Sequence, residues 1–152
     1  MAKVRRFEDL HCWQKARELA NKVHELAIRP DFSRDFRLRE QIENASGSVM
    51  HNIAEGHDAG TDPEFIRFLK MARRSAGEVQ SELYLALDRK YISETERQCA
   101  FLLADEAKRL INGLIAYLRQ AKSPAASGSQ IREASGLYLI QNQEPGDEGS
   151  LD

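Results

Sequence analysis

The sequence predicts an all-α fold: an antiparallel up-down-up-down four-helix bundle over residues 1–122, followed by a disordered, flexible acidic tail over residues 123–152. Three observations predict it. Four segments carry apolar residues at alternating spacings of three and four, which line up on one side of a 3.6-residue turn. The connections between them are short, which turns each helix back along its predecessor; a long-crossover bundle needs a connection of about 20 residues. Beyond residue 122 the periodicity stops, and Ser, Gly, Pro and acidic residues take over.

The first helix is predicted from about Phe7 to Arg29, with Trp13, Ala16, Ala20, Val23 and Ala27 in one stripe and Pro30 as its end. The second runs from Ser33 or Asp35 to Gly56 on the stripe Leu38, Ile42, Ala45, Val49 and Ile53, with Gly56 and Gly60 bracketing a turn. Gly47 lies inside it, and because a mid-helix glycine costs about 1 kcal/mol against alanine, a close helix approach is expected there. Thr61-Asp-Pro-Glu64 supplies a capping side chain and a first-turn proline for the third helix, whose stripe is Phe65, Phe68, Leu69, Ala72, Ala76, Val79, Leu83 and Leu87. Ser93-Glu-Thr-Glu96 is a capping box opening the fourth, which continues through Leu103, Ala107, Leu110, Leu114 and Tyr117 to about Lys122.

Helices three and four carry more apolar surface than one core requires. Ile66 and Met71 flank the third stripe, while Ile111, Ile115 and Leu118 widen the fourth into a second face. Such a patch is expected to be covered by identical copies, so a homo-oligomer is predicted with these five residues at its interface.

Composition bounds the function. At 152 residues the chain has room for one domain, and no run of about 18 apolar residues could cross a bilayer, which excludes a membrane protein of the helical kind. The N-terminus, basic but leading straight into charged residues, lacks the apolar stretch of a secretion signal, so the expected location is the cytoplasm. Cys12 and Cys99 are far apart and belong to no Cys-x-x-Cys pair, so they read as packed thiols. Residues 1–122 hold 21 basic and 19 acidic side chains, whereas residues 123–152 hold one arginine and five acids. The acidity sits in the tail. One apolar island, Gly136-Leu-Tyr-Leu-Ile-Gln141, interrupts it, either as a short docking strand or as a collapsed patch.

Three stretches carry a resemblance. Phe7-Glu-Asp-Leu-His-Cys-Trp-Gln-Lys-Ala16, then Asn52-Ile-Ala-Glu-Gly56, then Glu64-Phe-Ile-Arg-Phe-Leu-Lys-Met-Ala72 with Ser75 and Glu78, resemble the four helix bundle protein family, also called the 23S rRNA intervening-sequence protein family. The likeness spans residues 7 to about 120 and makes Trp13, Asn52, Glu55, Gly56, Ser75 and Glu78 the signature positions. It implies an antiparallel bundle assembling as a homopentamer, with no known enzymatic activity. Related accessory proteins of diversity-generating retroelements partner a reverse transcriptase and bind nucleic acid through a basic surface. Two departures stand out: Glu43-Asn44 where the family has basic residues, and Arg74 beside Ser75 where it commonly has glycine, with Gly77 nearby instead.

Few residues here could support chemistry. Glu8 and His11 have the Glu-x-x-His spacing of bundle di-iron sites, yet those need a second such motif and two further glutamates, and no second motif occurs. Glu55 would need a partner acid or histidine in a cleft; a polar contact of Asn52 and Glu55 with Ser75, Glu78 or an arginine, with Gly56 as helix stop, is the simpler role. His51 and His57 flank the same glycine and read as surface or interface residues. Ser46, Ser48 and Ser75 lie inside helices without a nucleophile elbow. Neither cofactor, metal nor small-molecule substrate is expected. Arg67, Lys70 and Arg74, with Arg73 flanking, form a basic row on helix three, and Lys3, Arg5 and Arg6 form a second group. Either row is a phosphate-binding face or a solvated one.

The leading expectation is a non-catalytic homo-oligomeric scaffold or adaptor. The alternative is an RNA- or DNA-associated accessory protein that binds nucleic acid, or a nucleic-acid enzyme such as a reverse transcriptase, through Arg67, Lys70, Arg73 and Arg74. An enzyme using Glu8, His11, Glu55 or His57 is the third class.

Overall fold

The computed structural model describes residues 4–121, so Lys3, the tail and its apolar island lie outside the described residues. Those residues form a 3-10 turn, Phe7–Asp9, and five α-helices: α1 (His11–Ala27), α2 (Pro30–Arg34), α3 (Phe36–Asp58), α4 (Asp62–Asp88) and α5 (Glu94–Gln120). No strand occurs among them. Each long helix lies against two others, α3 on α4, α4 on α5, α5 on α1 and α1 on α3, with the short α2 closing one end between α1 and α3.

The stripes read from the sequence form the core. Ala16, Val23 and Ala27 of α1, all five stripe residues of α3, and Leu69, Ala72, Ala76, Val79 and Leu83 of α4 are buried, joined by Leu10, Leu19, Leu26, Phe32 and Ile92. Trp13 and Ala20 are half-buried.

Three helix ends differ from expectation. Helix one does not start at Phe7: extended backbone at Leu10 (φ −76°, ψ 126°) separates the 3-10 turn from α1. Pro30 does not merely end a helix but opens α2, because its fixed φ suits a first helical position. Gly56 is not a stop, since α3 continues to Asp58 and the turn is made at Gly60, whose φ of 87° only glycine adopts without strain.

The starts of α4 and α5 follow the sequence. Glu64 N–H donates to Thr61 Oγ1 at 3.4 Å. Glu96 N–H donates to Ser93 Oγ at 3.2 Å and Ser93 N–H to Glu96 Oε1 at 2.9 Å, closing the capping box.

The close approach expected at Gly47 occurs at Gly56 instead. A Cβ on Gly47 would meet only the His51 ring, at 3.6 Å, so no helix approaches closely there. A Cβ on Gly56 would lie 2.7 Å from Phe68 Cβ and 2.8 Å from Phe65 Cδ2. Gly56 is where α3 and α4 come together.

The proposed interface stripe also needs correction. Ile111, Ile115 and Leu118 are buried within the protomer, at 0%, 3% and 7% exposure, and Ile66 is half-buried; of the five residues assigned to a subunit interface only Met71, at 37%, counts as exposed. The reason is steric: Ala72, Ala76 and Ala86 on α4 and Ala100, Ala104 and Ala107 on α5 are fully buried. Small side chains allow close packing, and a helix seated against two neighbours buries a wider arc than a single contact would.

Gly56→Ala is expected to destabilise the fold by about 1–3 kcal/mol, because the new methyl overlaps Phe68 Cβ and the neighbouring Phe65 ring. Gly77→Ala, at a site where a Cβ meets nothing within 4 Å, is expected to stabilise it by roughly 0.5–1 kcal/mol. Urea denaturation of both variants checks the pair; equal effects would show that the α3–α4 approach is looser than described.

Candidate macromolecular interface

Three of the six family-signature residues, Asn52, Gly56 and Ser75, gather on the seam between α3 and α4. Asn52, buried at 9% exposure, donates its Nδ2 hydrogens to Ser48 O at 2.8 Å and Ser48 Oγ at 2.9 Å. Ser48 Oγ lies 3.0 Å from Ser75 Oγ on α4. Asn52 therefore reaches Ser75 through Ser48, a relay that the one-turn spacing of 48 and 52 makes available. Two turns below Ser75, Glu82 is buried at 6% exposure, with Oε2 unpartnered among the described residues. Burial, and then the charge and hydrogen bond of Glu78 one turn away, push its carboxyl up to about 7. Sequence reading missed Glu82 because one charge among many on α4 gives no sign of burial.

Glu55 is exposed and stands outside this relay. Trp13 packs on Phe7 with ring centroids 5.2 Å apart and carries the Arg17 guanidinium at 5.8 Å. These contacts hold the 3-10 turn onto α1, as does Gln14 Nε2 donating to Glu8 O at 2.9 Å.

The possible metal pair does not sit on one helical face. Glu8 belongs to the 3-10 turn and pairs with Arg6, whereas His11 begins α1 beyond the extended Leu10. Among the described residues no three His, Cys, Asp or Glu side chains converge in a way that could hold a metal ion. His57 ties down the N-terminal segment: its Nε2 is 3.0 Å from Val4 O, and its ring meets Phe65 edge-on at 6.0 Å. Cys12 is buried as expected, which pushes its thiol up to about 12 and keeps it protonated, whereas Cys99, also expected to be packed, is exposed.

The basic row on α4 is brought together but unevenly charged. Arg67 is paired with Glu64 at 3.0 Å and lies 4.6 Å over the Phe68 ring. Arg73 donates to the neutral Asn112 Oδ1 on α5 at 2.7 Å. Arg74 is exposed and Lys70 half-buried, and neither meets a carboxylate among the described residues. Of the second basic group, Arg6 is neutralised by Glu8 and Arg5 is exposed.

Both departures from the family pattern have structural outcomes. Glu43 pairs with His24 of α1 and accepts from Arg39 Nε at 3.3 Å, so it joins α1 to α3 and adds no positive charge to that face. Arg74 adds a charge to α4, and Gly77 makes no helix contact in exchange.

Other polar links escaped the sequence reading. Buried Gln80 donates to Asp105 Oδ1 at 2.7 Å and accepts from Lys108 Nζ at 3.0 Å, fastening α4 to α5. Asp35 caps α3 by accepting from Leu38 N–H at 3.2 Å and also receives Arg89 Nη1 at 2.9 Å and Tyr91 Oη at 3.0 Å, so its carboxyl is held below the usual range by the Leu38 N–H first and these partners next. Arg97 is buried between Tyr84 and Phe101, 4.9 Å and 5.3 Å from their rings.

Because the fold raises the Glu82 pKa above its unfolded value, the protonated form is favoured: the cost is absent below about pH 4.5 and grows as pH rises through about 7. Glu82→Gln is therefore expected to melt a few degrees, very roughly 1–3 kcal/mol, above the parent at pH 8.5 and level with it near pH 4.5. Thermal melts across that range check it; a variant no more stable at pH 8.5 would contradict the assignment.

The model for the family described as 23S rRNA-intervening sequence protein matches residues 8–113. A crystal structure from Bacteroides thetaiotaomicron, described as a protein with unknown function from the S23 ribosomal protein family, superposes with a TM-score of 0.62 at 22% identity. The match covers 68% of this chain and 97% of that one, and at this identity it supports the fold alone. Among proteins of curated function, none matches. The chain belongs to the 23S rRNA-intervening sequence protein family.

Proposed function

We propose that this protein is a non-catalytic cytoplasmic scaffold: an antiparallel up-down-up-down four-helix bundle that self-associates, five copies on the family resemblance, and offers repeated helix faces to another macromolecule. The topology is supported by pairs whose numbers fall on one helix as they rise on the next, Arg73 with Asn112 and then Gln80 with Asp105. The observation that carries self-association is that four of the six exposed large apolar side chains among the described residues lie on α4 and α5, Met71 at 37%, Tyr84 at 48%, Leu85 at 42% and Leu102 at 56%, the others being Ile28 and Phe36. These four replace the buried Ile111, Ile115 and Leu118 as contact residues. Exposed singly they would be ordinary; four on two adjacent helices favour a shared cover. No described helix is long and apolar enough to cross a membrane.

A second reading is favoured by Lys70, Arg73 and Arg74, which hold no carboxylate partner among the described residues: an RNA- or DNA-associated accessory role, through nucleic acid itself or a nucleic-acid enzyme. Such binding would be electrostatic and steeply salt-dependent.

Light scattering after gel filtration is expected to give a discrete oligomer for the parent and a smaller species for Leu85→Asp with Leu102→Asp. A monodisperse monomer of the parent at micromolar concentration would contradict the assembly. In the same preparation, fluorescence anisotropy with a labelled RNA hairpin or DNA duplex decides the second reading: it expects binding at low salt that falls at least about tenfold in Lys70→Gln with Arg74→Gln, and no binding would remove it.

A further inference from the structure

The cationic face of α4 continues onto α5. Arg73 holds Asn112 across the seam, and the two helices run in opposite directions, so moving from 73 back to 70 on α4 leads forward along α5 toward Arg119. Lys70, Arg73, Arg74 and Arg119 are thus gathered near one end of the α4–α5 pair, with no carboxylate on any of them among the described residues. Many cations elsewhere are neutralised, Lys15 with Glu18, Arg29 with Glu96, Arg89 with Asp35, Arg97 with Glu94, while Arg17, Arg37 and Lys90, which also hold no carboxylate among the described residues, lie on separate elements and form no such group.

The chain leaves the bundle at this same end. Ala121 caps α5, its N–H donating to Tyr117 O at 3.0 Å, two residues after Arg119. The sequence beyond this cap carries the opposite charge: residues 123–152 hold five acids against one arginine, and four of the acids, Glu144, Asp147, Glu148 and Asp152, fall in the last nine residues.

The reach suffices. A stretch of about 25 residues can extend to roughly 80–90 Å at most. Lys70 lies only about six helical residues from the α5 end, roughly 10 Å along the axis and one helix diameter across. Tethering at that distance corresponds to an effective concentration on the order of millimolar, so contacts too weak to hold two separate molecules become populated.

We propose that the acidic segment of residues 144–152 folds back onto the cationic α4–α5 face of its own chain, formed by Lys70, Arg73, Arg74 and Arg119, and covers it. The occupant matches the face in charge and is anchored beside it. The contact shields this face from other polyanions at low salt and gives way as salt screens it. It is independent of whether nucleic acid is a partner.

The test is zero-length carbodiimide coupling on the full chain, read by peptide mass spectrometry. Lys70 Nζ is expected to couple to Glu144, Asp147, Glu148 or Asp152 at least about fivefold more than Lys15, Lys22, Lys90 or Lys108 do, with the preference lost near 0.5 M NaCl. In a mixture of unlabelled and nitrogen-15 chains the coupled peptides should carry a single isotope. Changing the four acids to their amides should abolish the Lys70 products, while circular dichroism keeps its helical signal. Products spread evenly over the lysines, absent altogether, or joining the two isotopes would overturn the proposal, the last by making a neighbouring copy the occupant.

Discussion

The bundle depends on how closely α4 can lie between α3 and α5. Gly56 gives α3 a surface with no side chain where Phe65 and Phe68 cross it, and fully buried alanines keep α4 and α5 thin where they face the centre. Packing at this density gathers many dispersion contacts and leaves no room for an added methyl. The same closeness turns the flanks of α5 inward, so Ile111, Ile115 and Leu118 stabilise the protomer by their own burial, each worth roughly 1.5–3 kcal/mol.

Apolar packing sets distance, and polar links set register. Ser48 with Ser75, Gln80 with Asp105 and Lys108, and Asp35 with Arg89 and Tyr91 each satisfy groups that a sliding helix would leave unpaired. Glu82 is the exception: its buried Oε2 has no partner among the described residues, and its neighbour Glu78 carries the same charge. The cost is borne on the same seam that holds the signature residues Asn52 and Ser75.

Much of this was legible in the sequence because periodicity reports on burial. The stripes of α3 and α4, the Thr61 and Ser93 caps and the family likeness follow from local patterns and are found in place. The width of a stripe is less legible. Ile111 and Ile115 lie off the stripe's centre, and only the presence of two close neighbours decides that they are covered. Gly47 and Gly56 look alike in sequence and differ only in what crosses them. Buried Gln80, Glu82 and Arg97 were illegible for a related reason: their partners, or the lack of one, come from another helix or another turn. The basic row was readable as a row, but its partial neutralisation by Glu64 and Asn112 was not.

The outer face of α4 thus joins three properties that the interior does not need: exposed Met71 and Leu85, cations without carboxylates among the described residues, and proximity to the point where an acidic segment leaves α5. All three rely on α4 being held rigidly at its inner face. Native-state hydrogen exchange measures that constraint most directly. Amides of residues 49–56 and 69–76 are expected to be the slowest in the molecule, exchanging only by global unfolding. If they exchanged sooner than those of α1, by local opening, the α3–α4 approach could not be what the rest of the bundle is built on.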